Sequence, residues 1–145
     1  STKFPLLRQF GWTSQARLLQ IISKADLCYC PYPFSLDMKE VCQYSFPSKL
    51  TSYLYAQTPT LIHAPTYSST VSFIRSELEG YVCTSPEKDD IREQLEFILE
   101  ETSSSLDKIS FRASQRFNTF LSEDVMRSNF FKALGVSKIE SFTRK

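Results

Sequence analysis

Short apolar runs alternate along this chain with stretches in which apolar residues recur every three or four positions. The runs are bounded by Gly, Pro or polar residues, which is typical of buried strands. Four strands are predicted in this way, over residues 4–10, 27–32, 60–64 and 81–84. The longer stretches have the spacing of amphipathic helices.

A helix is predicted after each of the first three runs. Thr13 is expected to cap the first helix, and Pro47 suits the first turn of the second because its missing N–H would be unpaired there. Residues 68–70 are expected to cap the third helix, which Gly80 ends. Residues 34–45 are polar without clear periodicity and are predicted to form a loop.

Three more helices complete the pattern. Pro86 opens an acidic amphipathic helix, and two further helices are predicted over residues 106–121 and 123–134, the last with Ser122 as its cap. Strands that alternate with helices favour a mostly parallel sheet with helices on both faces. We therefore predict one α/β domain of Rossmann-like type, with ligands bound outside the carboxyl ends of the strands.

Composition excludes several classes of protein. Hydrophobic residues make up 41% of the 145 residues and charged residues 23%, as in ordinary globular domains. The net charge of +1 argues against a broad basic surface for nucleic acid or anionic lipid. No apolar run approaches the roughly 20 residues of a membrane span, and no secretory signal is apparent. We expect a cytoplasmic protein.

The cysteines and the single histidine do not have the spacing of a metal site. Cys28, Cys30, Cys42 and Cys83 form no CxxC pair, and His63 has no ligand-spaced partner. Cys28 and Cys30 should point to one face of a strand. We expect reduced, buried thiols, with a disulfide of Cys42 as the open alternative, and a buried histidine bonded to backbone rather than a catalytic one.

Lys49 is the most informative charged residue. It lies in the first turn of the helix in "FPSKLTSYLYAQTP", where a cation is mildly unfavourable unless an anion is present. Backbone N–H groups at such a position suit phosphate, and Ser45 and Ser48 could add hydroxyl donors. The alternative is a solvated lysine beside a capped helix.

Two other segments carry candidates for the same edge of the sheet. Trp12 and Thr13 follow a predicted strand and could stack on or bond to a nucleotide base, although Trp12 could equally cover the next helix. Tyr67, Ser68 and Ser69 could hold a phosphate, but N-capping alone is the plainer interpretation.

The ordered motifs "FGWTSQARLLQIISKADLCYCPY", "FPSKLTSYLYAQTPTLIHA" and "EGYVCTSPEKDDIREQLEFIL" resemble the nucleotide-sugar-binding half of GT-B glycosyltransferases, of the retaining family called group 1. The resemblance covers most of residues 4–134. It implies transfer of a sugar from a nucleoside-diphosphate sugar to an acceptor, with no metal needed to hold the diphosphate. Together with the candidates above, it leads us to expect the nucleotide-sugar site at Trp12, Thr13, Ser45, Phe46, Ser48, Lys49, Tyr67 and Ser68.

The chain departs from this family at important positions. The family's two glutamates fall on Tyr44 and Ser52, and its glycine before the Thr-Pro pair falls on Gln57. The alternative is therefore a non-catalytic binding or assembly module with the same fold. A flavodoxin-like signalling domain also fits the alternation of elements but lacks its usual acidic cluster.

The resemblance also implies an incomplete sheet. The family's domain has two further strand–helix units, whose strands would separate the predicted strands at residues 4–10 and 27–32. An acceptor-binding domain precedes those units. We expect an upstream segment or a second copy of the chain to complete the sheet, unless the strands pair differently.

Overall fold

A computed structural model describes residue 6 and residues 8–77 and 80–135 of the chain. In this part, three parallel strands form one sheet in the order β1 (Cys28–Pro31), β2 (Thr60–His63) and β3 (Tyr81–Cys83). Tyr29 aligns with Leu61, and Leu61 aligns with Tyr81. The predicted Rossmann-like α/β fold is confirmed.

Helices connect the strands, and further helices precede β1 and follow β3. In chain order they are α1 (Gln15–Ile22), a 3-10 turn (Leu36–Met38), α2 (Lys39–Tyr44), α3 (Ser48–Tyr55), α4 (Ser69–Glu77), α5 (Lys88–Glu100), α6 (Ser103–Phe120) and α7 (Glu123–Ala133).

Helices pack on both faces of the sheet, as predicted. On one face, Cys30 and Ile62 of the strands contact a cluster contributed by α3, α4 and α6, namely Leu50, Leu54, Val71, Ile74 and Ala113. On the other face, Leu61, Tyr81 and Cys83 pack against Ile98 of α5. Because residues of a strand alternate between faces, β2 and β3 supply side chains to both clusters, whereas β1 supplies Cys30 to the first cluster alone.

Two capping predictions have different outcomes. Ser122 caps α7, since its hydroxyl accepts a hydrogen bond from the Val125 backbone N–H. Thr13 does not cap α1, because Ser14 has the extended backbone of an N-cap and accepts from the Arg17 N–H. Thr13 and Ser14 both carry suitable hydroxyls, so the helix periodicity alone could not choose between these neighbours.

The prediction of a loop over residues 34–45 is wrong for residues 36–44, which form the 3-10 turn and α2. Cys42 is the buried residue of α2, and its thiol donates a hydrogen bond to the Pro33 carbonyl oxygen at 3.3 Å. A helix of six residues with one buried side chain is too short to show helical periodicity in the sequence.

The strand predicted over residues 4–10 does not appear where the chain is described. Leu6 lies in a turn and residues 8–10 have no regular structure, while residues 4, 5 and 7 lie outside the described residues. Within the described chain, β1 is therefore an edge strand. The backbone N–H groups of Cys28 and Tyr32 donate to the carbonyl oxygens of Pro59 and His63. The backbone nitrogens of the alternate residues, Tyr29 and Pro31, therefore face the open edge, and proline has no N–H to leave unpaired there.

Helix α3 ends in a tight turn centred on Gln57. The Gln57 N–H bonds to the Leu54 carbonyl at 3.1 Å, and the Thr58 N–H bonds to the Tyr53 carbonyl at 3.2 Å, which is the Schellman pattern. Gln57 has φ of 56°, a left-handed conformation that glycine adopts most readily. The resemblance places the family's glycine at this residue.

Candidate functional site

The start of α3 lies at the carboxyl end of the sheet. The chain leaves β1 at Pro31, forms α2 and enters α3 at Ser48. Pro47 was predicted to lie in the first turn of α3 but is its N-cap, one position earlier. No side chain forms a capping hydrogen bond at this helix start. Its first N–H groups, including that of Lys49, are therefore aimed outward without a capping side chain, an arrangement that suits an anion.

An open cavity of about 410 Å³ lies between α1 and α3, beside Lys49. Its polar lining comes from Gln15, Ser48, Lys49 and Ser52, and its apolar lining from Leu18, Ile22 and Tyr53. None of these lining residues is acidic. The cavity thus combines one cation, hydroxyl and amide groups, and an apolar wall, which is a suitable mixture for a polar ligand with an anionic group.

Lys49 also lies close enough to β1 to affect a buried thiol. Burial raises the pKa of Cys30, and the positive charge of Lys49 opposes that increase by favouring the thiolate. Lys49 itself is exposed, so its ammonium group is accessible from solvent as well as from the cavity.

Trp12 and Thr13 lie just before the N-terminus of α1. The Trp12 side chain is 97% exposed, so it does not cover the helix that follows, and Thr13 is half-buried. Gln15, which follows them closely, lines the cavity together with Ser48 and Lys49. The structure therefore brings the start of α1 beside Lys49, but neither Trp12 nor Thr13 is among the residues that line the cavity.

Ser45 and Phe46, which follow α2 in the chain, contact residues of α4. The Ser69 hydroxyl donates to the Ser45 carbonyl oxygen at 2.6 Å, and the Tyr32 hydroxyl donates to the same oxygen at 3.5 Å. The Phe46 ring meets the Phe73 ring edge-on, with centroids 5.2 Å apart. These contacts fix the backbone immediately before α3.

Ser68 has the plainer of its two predicted roles. It is fully buried, and its hydroxyl accepts a hydrogen bond from the Thr70 N–H at 3.2 Å, so it caps the start of α4. The neighbouring Tyr67 has a buried hydroxyl without a hydrogen-bond partner, and the Lys39 ammonium lies 5.6 Å from its ring centroid. Sequence reasoning missed Lys39 because it lies in the segment predicted as a loop.

The side chain of His63, at the carboxyl end of β2, bonds to β1 and to the loop after β3. Its Nε2 lies 2.8 Å from the Ser85 carbonyl oxygen, which can only accept, so Nε2 carries a proton. Its Nδ1 then accepts from the Tyr29 hydroxyl at 2.6 Å, and the Phe34 ring lies 4.8 Å away between centroids. His63 is only 7% exposed, so the expectation of a buried histidine bonded to backbone is confirmed.

The four cysteines are free and buried, as predicted, and Cys42 forms no disulfide. Burial raises the pKa of Cys28 to about 11, and the nearby Cys30 thiol contributes in the same direction. Such thiols are poor nucleophiles because the thiolate is the reactive form. Within the described residues, no group of three His, Cys, Asp or Glu side chains is arranged to hold a metal ion.

The two positions at which the resemblance expects glutamates have different surroundings. Ser52 lines the cavity beside Lys49, whereas Tyr44, at the end of α2, is 84% exposed. Ser52 could donate a hydrogen bond to a ligand in the cavity, but neither residue can supply a carboxylate.

Comparisons with models of known protein families, with curated proteins and with solved structures found no match to this chain. In the described part of the chain, no helix combines the length and the hydropathy needed to cross a bilayer.

Proposed function

We propose that this chain is the nucleotide-sugar-binding part of a glycosyltransferase with a GT-B fold, which transfers a sugar from a nucleoside diphosphate to an acceptor. The observation that carries the proposal is the start of α3, where Lys49 and a helix N-terminus without a side-chain cap face an open cavity. A cation and unpaired N–H groups at one point favour a diphosphate over a neutral ligand.

Each part of the site has a role in this proposal. Lys49 and the first N–H groups of α3 hold the diphosphate, with Ser48 and Ser52 as hydroxyl donors. The exposed ring of Trp12 is free to stack on the nucleotide base. Ser45 and Phe46 fix the backbone that leads into α3. The resemblance implies that no metal holds the diphosphate, and Lys49 and the dipole of α3 would offset part of its negative charge.

A specific observation favours a second candidate, a non-catalytic module that binds the nucleotide without transferring its sugar. Tyr44 and Ser52 replace the two glutamates that the resemblance implies, and no acidic residue lines the cavity beside Lys49. Without a carboxylate near the sugar, the usual means of positioning it for transfer is lost. The two candidates therefore share a binding site and differ in turnover.

The open edge of β1 belongs to the same proposal. An upstream segment or a second copy of the chain would add strands there, next to Tyr29, and so would extend the carboxyl edge at which the nucleotide binds. We place the assembled protein in the cytoplasm, where free buried thiols such as those of this chain stay reduced.

The test is a calorimetric titration of wild type and the Lys49→Ala variant with UDP, GDP and ADP. Loss of one charge-assisted contact should weaken binding of the preferred nucleotide by about tenfold or more. Lys88→Ala is the matched control, since Lys88 is the first residue of α5, another helix without a side-chain cap. This variant should bind the nucleotide with an affinity within about twofold of wild type. Equal affinity of Lys49→Ala and wild type would remove Lys49 from the site.

Turnover separates the two candidate functions. Release of free nucleotide from the corresponding nucleotide sugar would be followed with the chain alone and with an added upstream segment. Sugar release above the uncatalysed rate supports the transferase, whereas tight binding without release supports the non-catalytic module.

A further inference from the structure

A second polar cavity lies between α4 and α6 and shares no residue with the cavity beside Lys49. Its volume is about 570 Å³, and three arginines line it, Arg75 from α4 and Arg112 and Arg116 from α6. Helix α4 begins next to the carboxyl end of β2, so Arg75 in its last turn lies towards the opposite end of the sheet. This cavity is therefore separate from the proposed nucleotide site.

Helix α6 carries a stripe of positive charge along one face. Lys108, Arg112 and Arg116 are spaced four residues apart and so share one face of the helix. After Asp107, α6 contains no acidic residue. Like charges one turn apart destabilise a helix slightly. The last-turn position of Arg75 agrees with the helix dipole, but Arg116 lies within α6, where that explanation does not apply.

Arg75 and Arg116 differ in their ion pairing from other surface arginines of the described chain. Neither of these two residues takes part in an ion pair in the described part of the chain, although Glu77 also lines the cavity. Arginines elsewhere on the surface do have acidic partners, as in the pairs Arg92–Asp89 and Arg127–Glu123. Arg75 and Arg116 therefore place positive charge in the cavity that no ion pair with a described carboxylate balances, and Glu77 is the acidic residue of the lining.

We propose that this cavity binds a small molecule with two or more phosphate groups. Guanidinium groups match phosphate oxygens in pairs, and arginines from two helices can hold two phosphates at once. The side-chain amide of Gln115, which also lines the cavity, adds a donor. The volume is typical of sites for small ligands rather than of surfaces that track a polymer.

Inorganic tripolyphosphate is the probe, titrated into the whole chain and followed by calorimetry and by the backbone amide signals of Ser76 and Gln115. The Arg75→Gln/Arg116→Gln variant should bind at least about tenfold more weakly, because it lacks two charge-assisted contacts. The control Arg92→Gln/Arg127→Gln removes the same charge from exposed ion pairs and should change affinity by less than about twofold. Arg116→Lys keeps the positive charge but lacks the paired donors of the guanidinium group, so it should give an intermediate loss of affinity.

Several outcomes would overturn the proposal. Equal losses in the two double variants would show general attraction to net charge, and shifts confined to the start of α3 would assign the probe to the Lys49 cavity. A second series uses vesicles with anionic lipid headgroups. Binding to these vesicles without binding of tripolyphosphate in solution would contradict a small-molecule site. Circular dichroism confirms that each variant is folded, as expected for exposed arginines.

Discussion

Removal of the Tyr29 hydroxyl tests whether His63 links the carboxyl ends of the three strands. In wild type, His63 accepts from the Tyr29 hydroxyl and donates to the Ser85 carbonyl, so it joins β1 and β2 to the loop after β3. Tyr29→Phe keeps the ring and removes only the donor. His63 Nδ1 is then an acceptor without its partner in a side chain that is 7% exposed.

The size of the effect follows from burial. An unsatisfied buried acceptor costs about 1–3 kcal/mol. Tyr29 is 45% exposed, so water can approach the vacated position and the loss should lie near the lower limit, about 1 kcal/mol. For a chain of 145 residues, an unfolding entropy of about 0.3 kcal/mol/K converts this loss into a decrease in Tm of about 3 °C.

Urea unfolding followed by circular dichroism gives the free energy of unfolding, with Tyr44→Phe as the control. The Tyr44 side chain is 84% exposed and should change the free energy of unfolding by less than about 0.5 kcal/mol. Equal stability of Tyr29→Phe and Tyr44→Phe would refute the stabilising role of the bridge. A loss well above 3 kcal/mol would show that the tyrosine hydroxyl supports more than one acceptor.

Two further predictions concern the thiols and the end of α3. Burial raises the pKa of Cys28 from 9.0 to about 11, so the contribution of this thiol to stability should be fully present below pH 9 and fall by at most about 2–3 kcal/mol as the pH rises to 11. Urea unfolding at several pH values should show this decrease to be smaller in Cys28→Val, and an identical decrease would contradict it. Gln57→Gly should stabilise the chain by about 0.5–1 kcal/mol in the same assay, because φ of 56° strains a residue with a Cβ; no gain would mean that the Gln57 side chain compensates for the strain.

The elements that the sequence predicted well have long periodic patterns or clear boundaries. The strands around Cys30, Ile62 and Val82 are apolar and end in proline or polar residues, and α5 has a regular apolar stripe. Periodicity could not reveal α2, because its six residues include one buried side chain. It also could not choose Ser14 over Thr13 as the cap.

The candidate site was predictable only in part. The position of Lys49 in the first turn of a helix followed from Pro47 and from the apolar spacing after it. The cavity between α1 and α3 depends on how two helices pack, and no spacing within either helix encodes that distance. The arginine cavity is a further example, since Arg75 and Arg116 are far apart in the sequence and meet only through tertiary packing.

The titration of the whole chain with UDP, GDP and ADP decides whether the start of α3 is a nucleotide site. Light scattering in the same buffer would report whether the chain is a monomer or a dimer during the measurement. We expect saturable binding of one nucleotide, weakened by Lys49→Ala and not by Lys88→Ala. Heats of dilution alone for all three nucleotides, with a folded chain, would contradict a nucleotide site at the start of α3.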